Sequence, residues 1–174
     1  MSKMQEIIMA GTGGQGLVLM STLLAQAAMS ENFNVTQTQS YGVAQRGGFI
    51  STELLAGKEE ILFQEVRKPT FIMALHGVVG TRYDASDAPV VYDSTLFSKD
   101  LPNWLGIPCT AIANELGVPK AANLVALGAM LALNPFMGMG SLENVIKTKF
   151  RGEVAEKNIA AIRAGNAAAL RTAN

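Results

Sequence analysis

Apolar positions along the chain change their period near Pro119, from short blocks and alternations of the strand type to the roughly 3.6-residue spacing of helices. In the first part, Glu6 to Met9 leads into a short apolar strand that breaks into four glycines between Gly11 and Gly16. The segment Gly16 to Met29 then carries apolar residues on every side among good helix formers, which predicts a buried helix. The alternation NVTQTQ, Asn34 to Gln39, predicts a second strand and Phe49 to Leu55 a third, with the glycine-punctuated loop SYGVAQRGG between them. Thr70 to Leu75, TFIMAL, has the unbroken apolar character of a strand covered on both faces, and Val90 to Tyr92 repeats it. His76 to Pro89 is barely long enough for a crossover helix, and Ile107 to Ala113 supplies one more strand candidate. Beyond Pro119 three helices are expected, Ala121 to Leu133, Ser141 to Phe150 and Glu153 to Leu170, the last with Ala155, Ile159 and Ile162 on its apolar face.

No repeat, low-complexity tract or linker interrupts this order. The expectation is one α/β domain over residues 1–174, a three-layer α/β/α sandwich with a mostly parallel, mixed sheet and a Rossmann-like first βα unit. With 174 residues and 49% hydrophobic composition, the chain can bury a full core. Its 14 basic and 14 acidic residues balance, so no net field steers it to nucleic acid or an anionic membrane. The uncharged stretch Ala121 to Leu142 is cut by Asn134-Pro135 and two glycines, too early for a bilayer span. The N-terminal apolar run stops at the glycines, unlike a secretory signal, so a cytoplasmic protein is expected. A single cysteine, Cys109, rules out an internal disulfide and leaves no thiolate cluster for an iron–sulfur centre or structural zinc.

Candidate chemistry starts at Gly11-Thr12-Gly13-Gly14-Gln15-Gly16, which fits G-x-G-x-x-G between a strand and a helix. Such a loop lets backbone approach a pyrophosphate whose charge meets free amides at the helix start. A dinucleotide site also wants a carboxylate ending the second strand, and that strand ends in Thr38-Gln39-Ser40. The phosphate loop of nucleoside triphosphatases is excluded as well, because Leu17 stands where lysine is required. A steep turn with close helix-on-strand packing is the alternative explanation of the glycines. The second loop adds Ser40, Tyr41, Gly42, Arg46, Gly47 and Gly48; an arginine fork there suits phosphate or carboxylate, or is merely solvated. If the first two strands are parallel neighbours, both loops open on one edge of the sheet. Asn123, polar in the apolar KAANLVALGAM, suits a bond to a ligand, a loop carbonyl or local backbone. His76, alone, reads as structural, Cys109 as a small buried hydrophobe, and Asp93 as either a ligand contact or a turn cap.

These motifs carry a resemblance. AGTGGQGLVLMSTLLAQAA, SYGVAQRGGFIST and ELGVPKAANLVALGAMLAL, in that order across most of the chain, resemble the gamma subunit of the 2-oxoacid:ferredoxin (acceptor) oxidoreductases. Between Leu75 and Asp93 the chain is shorter than that pattern and lacks its Gly-Gly turn. The resemblance implies a subunit without turnover of its own, working with alpha and beta subunits, a small ferredoxin-like subunit, and ferredoxin as acceptor. It implies thiamine diphosphate and iron–sulfur clusters on those partners. By resemblance, this domain handles coenzyme A, with Gly11 to Gly16, Ser40 to Gly42, Arg46 to Gly48 and Asn123 as the cofactor-binding positions and no catalytic or metal-ligating residue. A purely architectural subunit and an NAD-binding Rossmann protein are the competing readings, and a homodimer is expected when the chain is isolated.

Overall fold

The computed structural model describes residues 4–41 and 48–173. Six strands form one sheet: β1 (Gln5–Thr12), β2 (Asn34–Tyr41), β3 (Phe49–Gly57), β4 (Phe71–Ala74), β5 (Val90–Asp93) and β6 (Trp104–Ile107), in the spatial order β2-β3-β1-β4-β5-β6. Five helices accompany them: α1 (Leu17–Ser30), α2 (Cys109–Glu115), α3 (Ala122–Leu133), α4 (Met139–Lys149) and α5 (Gly152–Thr172). Strands β1, β4, β5 and β6 are parallel, while β3 runs antiparallel between β1 and β2. The sheet is therefore mostly parallel and mixed, as expected. The condition placed on β1 and β2 is not met, however: β3 separates them.

Period-two alternation sorts the strand residues onto two faces. Ile7, Met9, Leu54, Phe71, Met73 and Val91 point into a cluster roofed by the helices. Ile8, Ala10, Ile72, Ala74, Val90 and Tyr92 point the other way and are covered by Val79, Ala88, Tyr83, Phe97 and Leu101 from connecting segments. Chain direction explains the division. Through α1 the chain leaves β1 toward one side of the sheet, and from β4 it moves toward the other through β5 to β6. A crossover of fixed right hand travelling the opposite way must pass over the opposite face. That second layer is thin, because residues 75–89 form a short 3-10 turn (Gly77–Val79) rather than the crossover helix considered for them.

One further expectation needs correction. Ile107 to Ala113 is not a strand: β6 ends at Ile107, and Pro108, which has no amide hydrogen to give to a ladder, becomes the N-cap of α2. The long helices lie where the periodicity puts them, with Ala155, Ile159 and Ile162 buried. Helix α4 starts at Met139, two residues before Ser141, because Glu31 reaches across from the end of α1. Its Oε1 accepts from Gly138 N at 2.8 Å and from Ser141 Oγ at 2.6 Å, placing a carboxylate at the positive end of α4.

Candidate functional site at the carboxyl rim of the sheet

The chain leaves β1 through α1 toward one side of the sheet and leaves β4 toward the other, so the crevice between the ends of β1 and β4 is the topological switch point, where open α/β sheets bind ligands. The glycine loop occupies it. Gln15 folds its side chain back into the loop: Oε1 accepts from Thr12 N at 2.8 Å, and Nε2 donates to Leu75 O at 2.9 Å, just past the end of β4. This strap holds the loop down across the crevice. It also explains Gly11, where a Cβ would run into Gln15 Oε1. Gly16, at φ 73°, is the N-cap of α1, and its carbonyl accepts from Asn123 Nδ2 at 3.1 Å. A Cβ there would stand 2.5 Å from the same nitrogen.

Asn123 is 4% exposed, and its Oδ1 accepts from Leu124 N at 2.9 Å. Of the roles open to it, the bonds to a loop carbonyl and to local backbone are the ones realised. Gly14 differs from these. At φ 84° it needs glycine's conformational freedom, yet nothing stands within 4 Å of where its Cβ would lie. Two hollows flank it. One of about 220 Å³ is lined by Gly14, Gln15, Asp93, Thr110, Lys120 and Asn123; the other, of about 280 Å³, by Thr12, Gly13, Gly14, Leu17, Val18 and Ile50. Helix α1 has neither a side-chain cap nor an acidic residue in its first turn, so the positive end of its dipole faces the loop uncompensated.

Strand register brings the end of β2 and the start of β3 to this same rim, with Thr12 paired to Phe49 and Tyr41 to Ile50. Ser40 is exposed opposite Ser51, and Gly48, at φ 61°, precedes β3. Gly42, Arg46 and Gly47 lie outside the described residues, as does the Tyr41 side chain.

Asp93 is 1% exposed at the end of β5. Its Oδ2 accepts from Thr110 Oγ1 at 2.6 Å and Thr110 N at 3.1 Å, and its Oδ1 from Thr95 N at 3.1 Å. The carboxylate caps both the following turn and the first turn of α2. Neighbouring Cys109 is wholly buried, and burial, then the Asp93 charge, push its thiol well above the usual range. A thiol held protonated is no nucleophile. His76 Nδ1 accepts from Val78 N at 3.0 Å, which makes it the cap of the 3-10 turn. Thr110 and Lys120 as hollow-lining residues were missed from sequence. The Pro119-Lys120 start of a helix at a sheet rim was the available signal.

An open, mostly parallel α/β sheet with a glycine loop at its switch point and the ends of β2 and β3 on the same rim defines an α/β domain of Rossmann-like design. Comparison makes this particular. The family model for pyruvate ferredoxin/flavodoxin oxidoreductase matches residues 6–168, and the chain belongs to that family. It is 37% identical over 166 residues to 2-oxoglutarate synthase subunit KorC of Archaeoglobus fulgidus, covering 91% of this chain and 84% of that protein. The keto/oxoacid ferredoxin oxidoreductase gamma subunit of Geobacter sulfurreducens superposes with a TM-score of 0.82 at 28% identity, over 96% of this chain and 99% of that one. The 2-oxoglutarate:ferredoxin oxidoreductase of Magnetococcus marinus, solved with 2-oxoglutarate, coenzyme A and succinyl-CoA bound, shares the fold. Its TM-score is 0.86 at 24% identity, over 98% of this chain and 32% of that one. Among the described residues, no helix is long and apolar enough to cross a membrane.

Proposed function

We propose that the chain is the gamma-type subunit of a cytoplasmic 2-oxoacid:ferredoxin oxidoreductase and that its carboxyl rim receives coenzyme A. In this reading, alpha and beta subunits hold thiamine diphosphate and carry the decarboxylation. Clusters on other subunits pass the electrons to ferredoxin, and the rim presents the thiol carrier to the acyl intermediate. Gly14 carries the reading: it is left-handed, unobstructed and set between two hollows at the dipole end of α1. A diphosphate or an amide-rich arm needs close backbone approach of this kind. Arg46, which lies between β2 and β3 in the sequence, is the cation assigned to match it.

A second reading has specific support. Gln15 and Asn123 satisfy Thr12 N and Gly16 O from within, as they would if the loop served only to shape a docking surface for a partner subunit. The nicotinamide reading is weakened further by β3, which displaces the end of β2 one strand away from the glycine loop.

Steady-state kinetics of the assembled complex separates the first two. With Gly14→Ala or Arg46→Gln, the KM for coenzyme A should rise about tenfold or more, equivalent to roughly 1.4 kcal/mol, while the KM for the 2-oxoacid stays unchanged. An unchanged coenzyme A KM would remove the rim from the reaction. Loss of the variant subunit from the pulled-down complex, with normal kinetics in what remains, would favour the docking role.

A further inference from the structure

A third hollow adjoins the rim. It holds about 480 Å³, within the range of about 300–1,000 Å³ that small-molecule sites occupy. Its apolar walls are Leu19 of α1, Val118 ahead of α3, Leu124 of α3, Phe150 just past α4 and Val154 of α5. Leu19, Val118 and Phe150 pack on the main core yet are only half-buried, and Val154 is 56% exposed. The hollow is thus a depression in the surface of the core itself, apolar where it meets water.

Two polar side chains stand on it, and neither has a partner. Lys120 and Asn158 line the hollow, and among the described residues their side chains enter no hydrogen bond or ion pair. Nor is any of the described residues that line it acidic. Asn158 follows Val154 by one helical turn, which sets its amide beside an apolar wall. An apolar cavity with one uncompensated cation and one unused amide matches an apolar body that carries a single anionic head. A carboxylate fits better than a phosphate ester, since Lys120 brings one positive charge and a phosphate ester carries about two negative ones.

The hollow is also joined to the glycine loop. Pro119, Lys120 and Asn123 line both this hollow and the one of about 220 Å³ beside Gly14. Lys120 is the cation common to the two, and Asn123 holds the Gly16 carbonyl through its Nδ2. We infer that the apolar hollow is an effector site for a carboxylic acid with an aromatic or branched aliphatic body, whose binding draws the Lys120 ammonium to its own side and opposes binding at the rim. A lysine head on a flexible stem serves either hollow but not both at once. The site itself is independent of the coenzyme A reading, and the direction of its effect rests on that reading.

Chemical-shift titration of the full chain with phenylacetate, phenylethanol and phenylethylamine varies the head on a constant body. The acid should bind saturably and about tenfold tighter than the alcohol, with the amine weakest. Lys120→Met should bring the acid down to the level of the alcohol, and Val154→Trp, which fills the hollow from its exposed side, should weaken both. In the assembled oxidoreductase, phenylacetate should raise the KM for coenzyme A severalfold at unchanged kcat, and Val154→Trp should abolish that rise while leaving the uninhibited KM as it was. The absence of saturable binding, or equal binding of acid and amine, overturns the proposal. So does an acid that binds the isolated chain but not the complex, which would give the hollow to another subunit. An acid that binds the complex and leaves the coenzyme A KM unmoved overturns the effector role, and Gly14→Ala then shows separately whether the rim takes coenzyme A.

Discussion

Glycines at the helix crossing of α3 with α5 and glycines at the sheet rim share a residue type and differ in what fills the space beside them. Gly128 and Gly165 each press against backbone of the other helix: a Cβ on Gly128 would run into the Ile162 carbonyl, and one on Gly165 into that of Val125. Both obstacles are backbone, so nothing flexible can yield. On the rim, Gly11 and Gly16 are bare because Gln15 and Asn123 have folded over them, and those obstacles are ends of side chains. Gly14 has no obstacle at all. A glycine motif is therefore not one signal. Glycines crowded by the chain's own backbone build the core, glycines crowded by side chains build the loop, and the open one is available to something outside the chain.

The largest effect expected from this ordering is at the crossing. Gly128→Ala or Gly165→Ala forces the two helices apart and should cost about 3 kcal/mol in urea denaturation, the upper end of overpacking penalties. A change below about 1 kcal/mol would mean the helices are free to separate, and the distinction between core and rim glycines would fail. Next comes Gln15→Met, which keeps the shape of the strap and removes its hydrogen bonds to Thr12 N and Leu75 O. A loss of about 1–2 kcal/mol is expected, together with faster amide exchange at Thr12. Gly14→Ala should be milder in the isolated chain, about 1 kcal/mol for its left-handed backbone, because no neighbour has to move. Its effect on coenzyme A in the assembled enzyme should exceed its effect on stability, the reverse of Gly128→Ala.

Much of this frame was legible in the residues, and what was not has physical reasons. An apolar run broken by glycines and followed by an uncharged helix leaves little choice for β1, the loop and α1. Likewise, a long apolar run of helix formers located α3, and the 3.6-residue spacing located α5. Strand neighbours are another matter. NVTQTQ announces a strand but carries no mark of its partner, and the insertion of β3 between β1 and β2 depends on a hairpin whose sequence reads equally well as an open loop. Pro108 hid α2 because the run from Ile107 to Ala113 has strand-like composition, while the helix is set by a missing amide hydrogen and by Asp93 reaching Thr110 from another strand. The role of Gln15 was out of reach for a similar reason. Its second partner is the Leu75 carbonyl, sixty residues away in sequence. Local chemistry was readable wherever its partners are local.

Asp93, which lines the hollow beside Gly14, and Cys109, buried beside it, extend the comparison beneath that hollow, where by the same logic the chain should behave as core rather than as chemistry. Both burial and the Asp93 carboxylate raise the Cys109 thiol in the folded chain, so the unfolded chain loses that proton first as pH rises. The sign follows directly. Stability from this group is intact below the ordinary thiol range and falls as pH climbs through it toward the raised folded value, by up to about 1.4 kcal/mol per pH unit. Tyr83 is also raised, chiefly by burial and then by Glu53, but its contribution begins only above the ordinary tyrosine range near pH 10. The interval from about pH 8.5 to 10 therefore belongs to Cys109. Urea midpoints taken across it should fall for the native chain and stay level for Cys109→Ala, whatever the absolute cost of that substitution. Alkylation should agree, with the native thiol unmodified by iodoacetamide until the protein is denatured. A thiol that reacts in the folded state at neutral pH would place an accessible nucleophile beside Asp93, and this part of the chain would then belong with the open rim rather than with the core.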